Sequence, residues 1–279
     1  MADLVRDVSL NLRMTKRLAL RRGGGVSQRV GPLDERMVFV IGSPRSGTTF
    51  LAGAIGSVPG FVDLGEVASV KAAVAELAAL PAEEAARRLR RILATARRFG
   101  LVGSLRAVEQ TPEVAHVARA VELAYPQGRL VHILRDGRDV VCSLLERGWL
   151  GTARAGEADD AGLGYGSGVR FWVEPERRAE FGRVSEARRA AWVWRRYVTA
   201  ARASSAFELR YEELATDPAG VGAQLARYLE APNRPLTEAL RAVHSSSIGR
   251  WRRELTPEQV ADVEEEAGPL LLELGFPSD

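Results

Sequence analysis

The sequence predicts an α/β protein of three layers, α/β/α, around a central and mostly parallel sheet, and two observations carry that prediction. Met37 to Ile41 is a short continuous apolar run and Leu130 to Leu134 a second buried-strand candidate, each followed by a polar turn and then by a segment of helical periodicity. Strands buried on both faces read as continuous apolar runs, and strands that alternate with helices imply parallel units joined by right-handed crossovers. With 279 residues, 46% of them hydrophobic, the chain can bury one sizeable core.

Residues 1–35 form a basic N-terminal leader that includes Gly23-Gly24-Gly25, a hinge before a single folded domain over 36–279. The leader suits a dimer arm, a surface helix or a frayed end. After the first strand, a helix is expected to begin near Thr48 and to carry Phe50, Leu51, Ala54 and Ile55. From Val67 to Phe99 the apolar spacing is helical and breaks at Leu80-Pro81, so two helices joined by a turn are expected. Thr111-Pro112-Glu113 supplies an N-cap, a first-turn proline and an acid, opening a helix with Val114, Val117 and Val121 on one face. The Leu130 to Leu134 strand should lead into a helix through Val140, Val141, Leu144 and Leu145.

Residues 150–184 are glycine-rich and mixed in charge, which suits a lid over a bound acceptor or a flexible loop. Trp149, Phe171 and Trp172 flank that lid and suit either an apolar acceptor pocket or the core. Ser185 to Ala203 is a helix with Ala191, Trp194 and Val198 inward, Ala206 to Tyr211 a third strand, and Thr256-Pro257-Glu258-Gln259 a capping box that opens the last helix.

Composition narrows the function. The net charge of +3 is mild and arginine-heavy, which favours forked contacts to phosphate or sulfate and demands no nucleic-acid partner. The single Cys142 excludes an internal disulfide and an all-cysteine metal site, and three histidines are too few for a metal cluster. No run approaches the roughly 20 apolar residues of a membrane span, so a cytoplasmic protein without a span is expected.

The chemistry is concentrated at the two strand ends. Gly42-Ser43-Pro44-Arg45-Ser46-Gly47-Thr48-Thr49 has the glycine spacing of a phosphate-binding loop, with Thr48 where its lysine would stand. Strand, loop and helix in this order aim backbone N–H groups and a helix dipole at one anion, and Arg45 restores a cation from inside the loop. At the second strand end an arginine, Arg135, occupies the place of the acid that would hold magnesium. A phosphate-bearing nucleotide handled without a metal is therefore expected. In Arg135-Asp136-Gly137-Arg138-Asp139-Val140-Val141-Cys142-Ser143, Arg135 and Ser143 can face one phosphate, while Asp136 and Asp139 cap the helix or pair with the arginines.

Together these segments resemble the two nucleotide motifs of the sulfotransferase superfamily, written PRSGTT (Pro44 to Thr49) and RDxRDxxxS (Arg135 to Ser143). The resemblance, strongest to the bacterial and tyrosylprotein-type branch, runs from about Met37 to Leu255. It implies 3′-phosphoadenosine-5′-phosphosulfate (PAPS) as donor and 3′-phosphoadenosine-5′-phosphate (PAP) as product. It also implies a donor site at Ser43, Pro44, Arg45, Ser46, Gly47, Thr48, Thr49, Arg135 and Ser143. Tyr211, in a segment similar to RYEDL, and Gly249 and Arg250, in a late glycine-basic-tryptophan stretch, join the donor site by the same resemblance.

Glu66 aligns with the glutamate base of the tyrosylprotein-type enzymes, against a plainer reading as an N-terminal helix acid. The resemblance assigns catalysis to Glu66 and Arg45. Val108-Glu109-Gln110-Thr111-Pro112 departs from the family's EKTP, because Gln110 supplies no cation; Arg45, or Arg106, would carry more of the charge stabilisation. His116 and His132 read as structural. A small-molecule, lipid or glycan acceptor and a monomer or homodimer are expected. The competing classes are a P-loop small-molecule kinase or nucleotide hydrolase, and a non-catalytic nucleotide-binding protein.

Overall fold

The computed structural model describes residues 37–98, 105–151 and 173–276. The leader, most of the expected lid, Phe171 and Trp172 lie outside them. The strands are β1 (Met37–Ile41), β2 (Phe61–Gly65), β3 (Arg106–Glu109), β4 (Arg129–Leu134) and β5 (Phe207–Arg210). They form one sheet in the order β2-β3-β1-β4-β5, every neighbouring pair parallel. The expected three strands are present, and β2 and β3 are additional. Neither carries a long apolar run: β2 is an edge strand interrupted by Asp63, and β3 is four residues bounded by Arg106 and Glu109.

The helices are α1 (Thr48–Ser57), α2 (Ala68–Ala78), α3 (Ala82–Arg98), α4 (Ala118–Ala124), α5 (Gly137–Arg147) and α6 (Arg178–Phe181). They continue as α7 (Glu186–Arg202), α8 (Tyr211–Thr216), α9 (Pro218–Leu229), α10 (Asn233–Leu240), α11 (Trp251–Glu254) and α12 (Pro257–Glu273). Alternation along β1 builds the layers. Met37, Phe39 and Ile41 face a core shared with α2, α3, α5, α7 and α12, whereas Val38 and Val40 face a second core with α1, α9 and α10. The sheet is thus covered on both faces, as an all-parallel sheet requires.

The expected helix at Thr111 starts differently. Pro112–Val117 is a 3-10 helix before α4, and Thr111 makes no capping bond, because its hydroxyl and its N–H both donate to the Glu109 carboxylate. A buried charge-assisted bond outcompetes the cap. The Thr256 capping box is formed, with Gln259 as its reciprocal partner.

Two features position the site. The chain leaving β1 turns toward β2 and β3, while the chain leaving β4 turns toward β5, so β1 and β4 flank the switch point where a crevice opens beyond the strand ends. Secondly, buried Arg189 on α7 donates to the carbonyls of Leu150, Phe181 and Gly182 at 2.8, 2.8 and 3.2 Å. One guanidinium therefore fixes the chain on both sides of residues 152–172.

Candidate active site

The loop after β1 is built around three left-handed or glycine-only positions, Gly42 (φ 151°), Arg45 (φ 71°) and Gly47 (φ 103°). A Cβ on Gly42 would stand 2.6 Å from the carbonyl oxygen of Ile133 on β4, so only glycine lets the loop leave the sheet there. A Cβ on Gly47 would meet the Tyr211 ring at 3.0 Å. The turn is closed by the Ser46 N–H donating to the Ser43 carbonyl at 3.1 Å. Gly47 offers no side-chain cap to α1, so the first N–H groups of that helix remain available to an anion.

The second turn differs in a way that assigns its chemistry. Asp136 accepts from the Arg138 N–H at 2.9 Å and so already caps α5. An anion here must be met by side chains. Arg135 donates to the carbonyls of Arg45 (3.2 Å) and Ser247 (2.7 Å), and its guanidinium lies 4.6 Å from the centre of the Tyr211 ring. Its Nε is buried and unpartnered, as is the Ser46 hydroxyl. Arg45 donates from Nε to the Ser143 hydroxyl at 3.0 Å, bringing the two motifs into contact. Burial lowers the Arg45 pKa, and the neighbouring cations Arg147, Arg135 and Arg250 act in the same direction while Glu146 opposes them. Arg45, Arg135, Arg147 and Arg250 thus gather positive charge at this point.

The late stretch is tied to the same place by Asp139, which accepts from the N–H groups of Gly249 (2.8 Å) and Trp251 (3.1 Å). Asp139 therefore anchors this segment to α5. Arg138 pairs with Asp136 at 2.8 Å and stacks 4.0 Å from the Trp251 ring. Tyr211 is buried beneath the loop, its hydroxyl donating to the His244 carbonyl at 2.7 Å. Arg250 lies between Glu254 (2.6 Å) and Glu146 (3.2 Å), which hold its pKa up, the Glu254 hydrogen bond most of all.

On the other side of β1, Gln110 follows β3 and accepts from the Thr49 hydroxyl at 3.4 Å. Its N–H donates to the Gly65 carbonyl, immediately before Glu66. Glu66 thus emerges at the same sheet edge as the loop, two strands from β1, a lateral distance of about 10 Å at the usual strand spacing. Its carboxylate is 2.6 Å from the Lys71 ammonium. Behind it Glu109 is fully buried, one oxygen accepting from Val67 and Thr111 and the other unpartnered, and burial pushes its carboxyl up to about 7.

Arg106 is excluded from the charge-stabilising role considered for it. It begins β3, at the opposite edge of the sheet from the loop, where its guanidinium donates to the Leu229 carbonyl and stacks on Phe61. Trp149 lies 5.8 Å from the Arg45 guanidinium and packs partly against the core. His116 is partly buried against Tyr197, and loss of solvent brings its pKa down to about 3; His132 is buried on β4 with Nδ1 3.0 Å from Glu208. The sequence reading missed Lys71, Glu113 and the anchoring role of Asp139. Lys71 carried a signal, because of the 39 basic residues only Lys16 and Lys71 are lysines.

No family model matches the chain, and no curated protein does. Solved structures do. The sulfotransferase domain from the curacin biosynthetic pathway superposes with a TM-score of 0.54 at 14% identity, over 84% of this chain and 96% of that one. Mouse sulfotransferase SULT7A1, solved in complex with PAP, gives 0.51 at 15% identity over 89% and 92%. The sulfotransferase domain of the Synechococcus PCC 7002 olefin synthase gives 0.51 at 15% identity over 87% and 98%. The chain shares the fold of these proteins over nearly their whole length.

Proposed function

We propose that this chain is a sulfotransferase that moves a sulfuryl group from PAPS to a hydroxyl or amine of a small-molecule, lipid or glycan acceptor, without a metal. The observation that carries the reading is the meeting of two anion-binding turns at the switch point of the sheet. One presents an uncapped helix start and Arg45, the other Arg135 and Ser143. A kinase-type loop would put lysine at Thr48 and an acid in place of Arg135; this chain has a hydroxyl and a cation there, and the neighbouring Asp136 is taken up by Arg138. The fold shared with sulfotransferases, one of them holding PAP, supports the same assignment.

When bound, the donor supplies an activated sulfuryl group on an anhydride that leaves without metal assistance. Residues Ser43 to Thr49 would hold its 5′ end through backbone N–H groups, with Ser46 and Arg45 adding side-chain donors. Arg135 and Ser143 would hold its 3′-phosphate, and Gly249 and Arg250 would border the nucleotide from the segment anchored by Asp139. Tyr211 would act from beneath, bracing Gly47 and Arg135. Glu66 would accept the acceptor's proton from the far side of the transferred group. Gln110, its side-chain oxygen accepting from the Thr49 hydroxyl, would keep its amide NH2 free to donate to a sulfuryl oxygen.

Calorimetry tests the donor assignment. PAP should bind without magnesium, and ATP with magnesium at least tenfold more weakly. The opposite order overturns the reading in favour of a kinase or hydrolase.

A further inference from the structure

The first turn of α2 contains no acid but does contain Lys71. That is the wrong end of a helix for a cation, because the first-turn N–H groups already carry positive charge. The side chain is also only 8% exposed, so its ammonium has lost most of its water. A residue that breaks a local preference at such a cost is expected where a site requires it. Its surroundings indicate the requirement: the ammonium lies 2.6 Å from Glu66 and 3.8 Å from Glu113, with Glu113 itself buried.

We infer that Lys71 is the positioning residue of Glu66, fixing its carboxylate at the strand ends through an ion pair that Glu113 braces from the other side. The inference rests on the proposed role of Glu66 as base. The carboxylate is tethered at two points. Its backbone is held where the Val67 N–H donates to Glu109 at 3.3 Å, and its head is held by Lys71. The charged groups facing this pair include Glu113 after β3 and Glu109 on β3, both acidic. Lys71 thus supplies cationic charge on the side of the site where Gln110 supplies none. A compact ammonium suits a point between two carboxylates, whereas the wider planar guanidinium of arginine does not.

The test follows cleavage of labelled PAPS at neutral pH, with water or 2-naphthol as acceptor. Lys71→Met should lower kcat at least tenfold, because the Glu66 carboxylate loses the contact that orients it. PAP affinity and the KM for PAPS should stay within about twofold, and Lys71→Arg should recover only part of the rate. Glu113→Gln, which removes the second carboxylate 3.8 Å from the ammonium, should lower kcat by a smaller factor, at least threefold, with the KM for PAPS again within about twofold. A kcat equal to the wild type in Lys71→Met, or in Glu113→Gln should the first variant not fold, overturns the inference when Glu66→Gln is inactive. Full activity in Glu66→Gln instead overturns the base assignment itself.

Discussion

The guanidinium of Arg45 donates to the hydroxyl of Ser143 across 3.0 Å, joining the loop after β1 to α5 through residues 98 positions apart in the chain. Arg45 holds this geometry from a left-handed backbone conformation, φ 71°, that a branched side chain would adopt only under strain. The bond ties the 5′ and 3′ halves of the proposed donor site to each other.

Loss of either partner should therefore weaken PAP in a coupled way. Hydrogen bonds to charged groups contribute about 1.5–3 kcal/mol, so Ser143→Ala should cost roughly tenfold in PAP affinity and Arg45→Ala roughly a hundredfold. In the double variant the effects should fall short of additive by at least about 0.5 kcal/mol, the signature of residues in contact. Calorimetry of the four proteins measures this, and strict additivity would contradict a shared role.

Gly42→Ala should disable the loop and leave the sheet folded. The added methyl would meet the Ile133 carbonyl at 2.6 Å, and that oxygen belongs to the backbone of a central strand that cannot retreat. The loop must move instead, so PAP binding should drop at least tenfold while the far-ultraviolet circular dichroism stays that of the wild type. Unchanged PAP affinity would show that the loop does not hold the nucleotide.

How far the sequence revealed this depended on whether a feature is local. β1 and β4 were legible because each is an apolar run buried on both faces, and their turns were legible because glycine and arginine spacing is set by backbone geometry. β2 and β3 were not, since an edge strand holding Asp63 and a four-residue strand framed by Arg106 and Glu109 carry no periodic signal. Strand direction decided the fate of Arg106: four residues before Gln110 in sequence, it lies at the other end of the sheet. The Lys71–Glu66–Glu113 cluster joins α2 to the turn after β3, a pairing that only the completed sheet creates.

Glu109 makes stability depend on pH. Its carboxyl is raised by burial from its ordinary value to about 7, with hydrogen bonds from Thr111 and Val67 opposing the shift and the nearby Glu66 charge adding to it. The folded protein thus binds this proton more tightly than the unfolded chain, and stability from this group is complete below about pH 4.5 and is lost as pH rises through 7. At about 1.4 kcal/mol per unit, up to roughly 3 kcal/mol is at stake across that window. Urea unfolding of the wild type from pH 5 to 8 should show the decline, and Glu109→Gln should flatten it. A profile equally steep in the variant would place the titration elsewhere.

Arg189 offers a change that should separate stability from donor binding. Its guanidinium is the donor to the carbonyls of Leu150, Phe181 and Gly182, and Arg189→Met would keep much of the stem but leave those groups with fewer donors. A buried polar group left unsatisfied costs about 1–3 kcal/mol, so the variant should lose about 3 kcal/mol or more in urea unfolding. The site at β1 and β4 makes none of these bonds, so the folded variant should bind PAP within about twofold of the wild type. Turnover can still fall, because Arg189 fixes Leu150 next to Trp149, which lies 5.8 Å from Arg45. Loss of PAP affinity at full stability would reverse this assignment and put Arg189 in the donor site's own support.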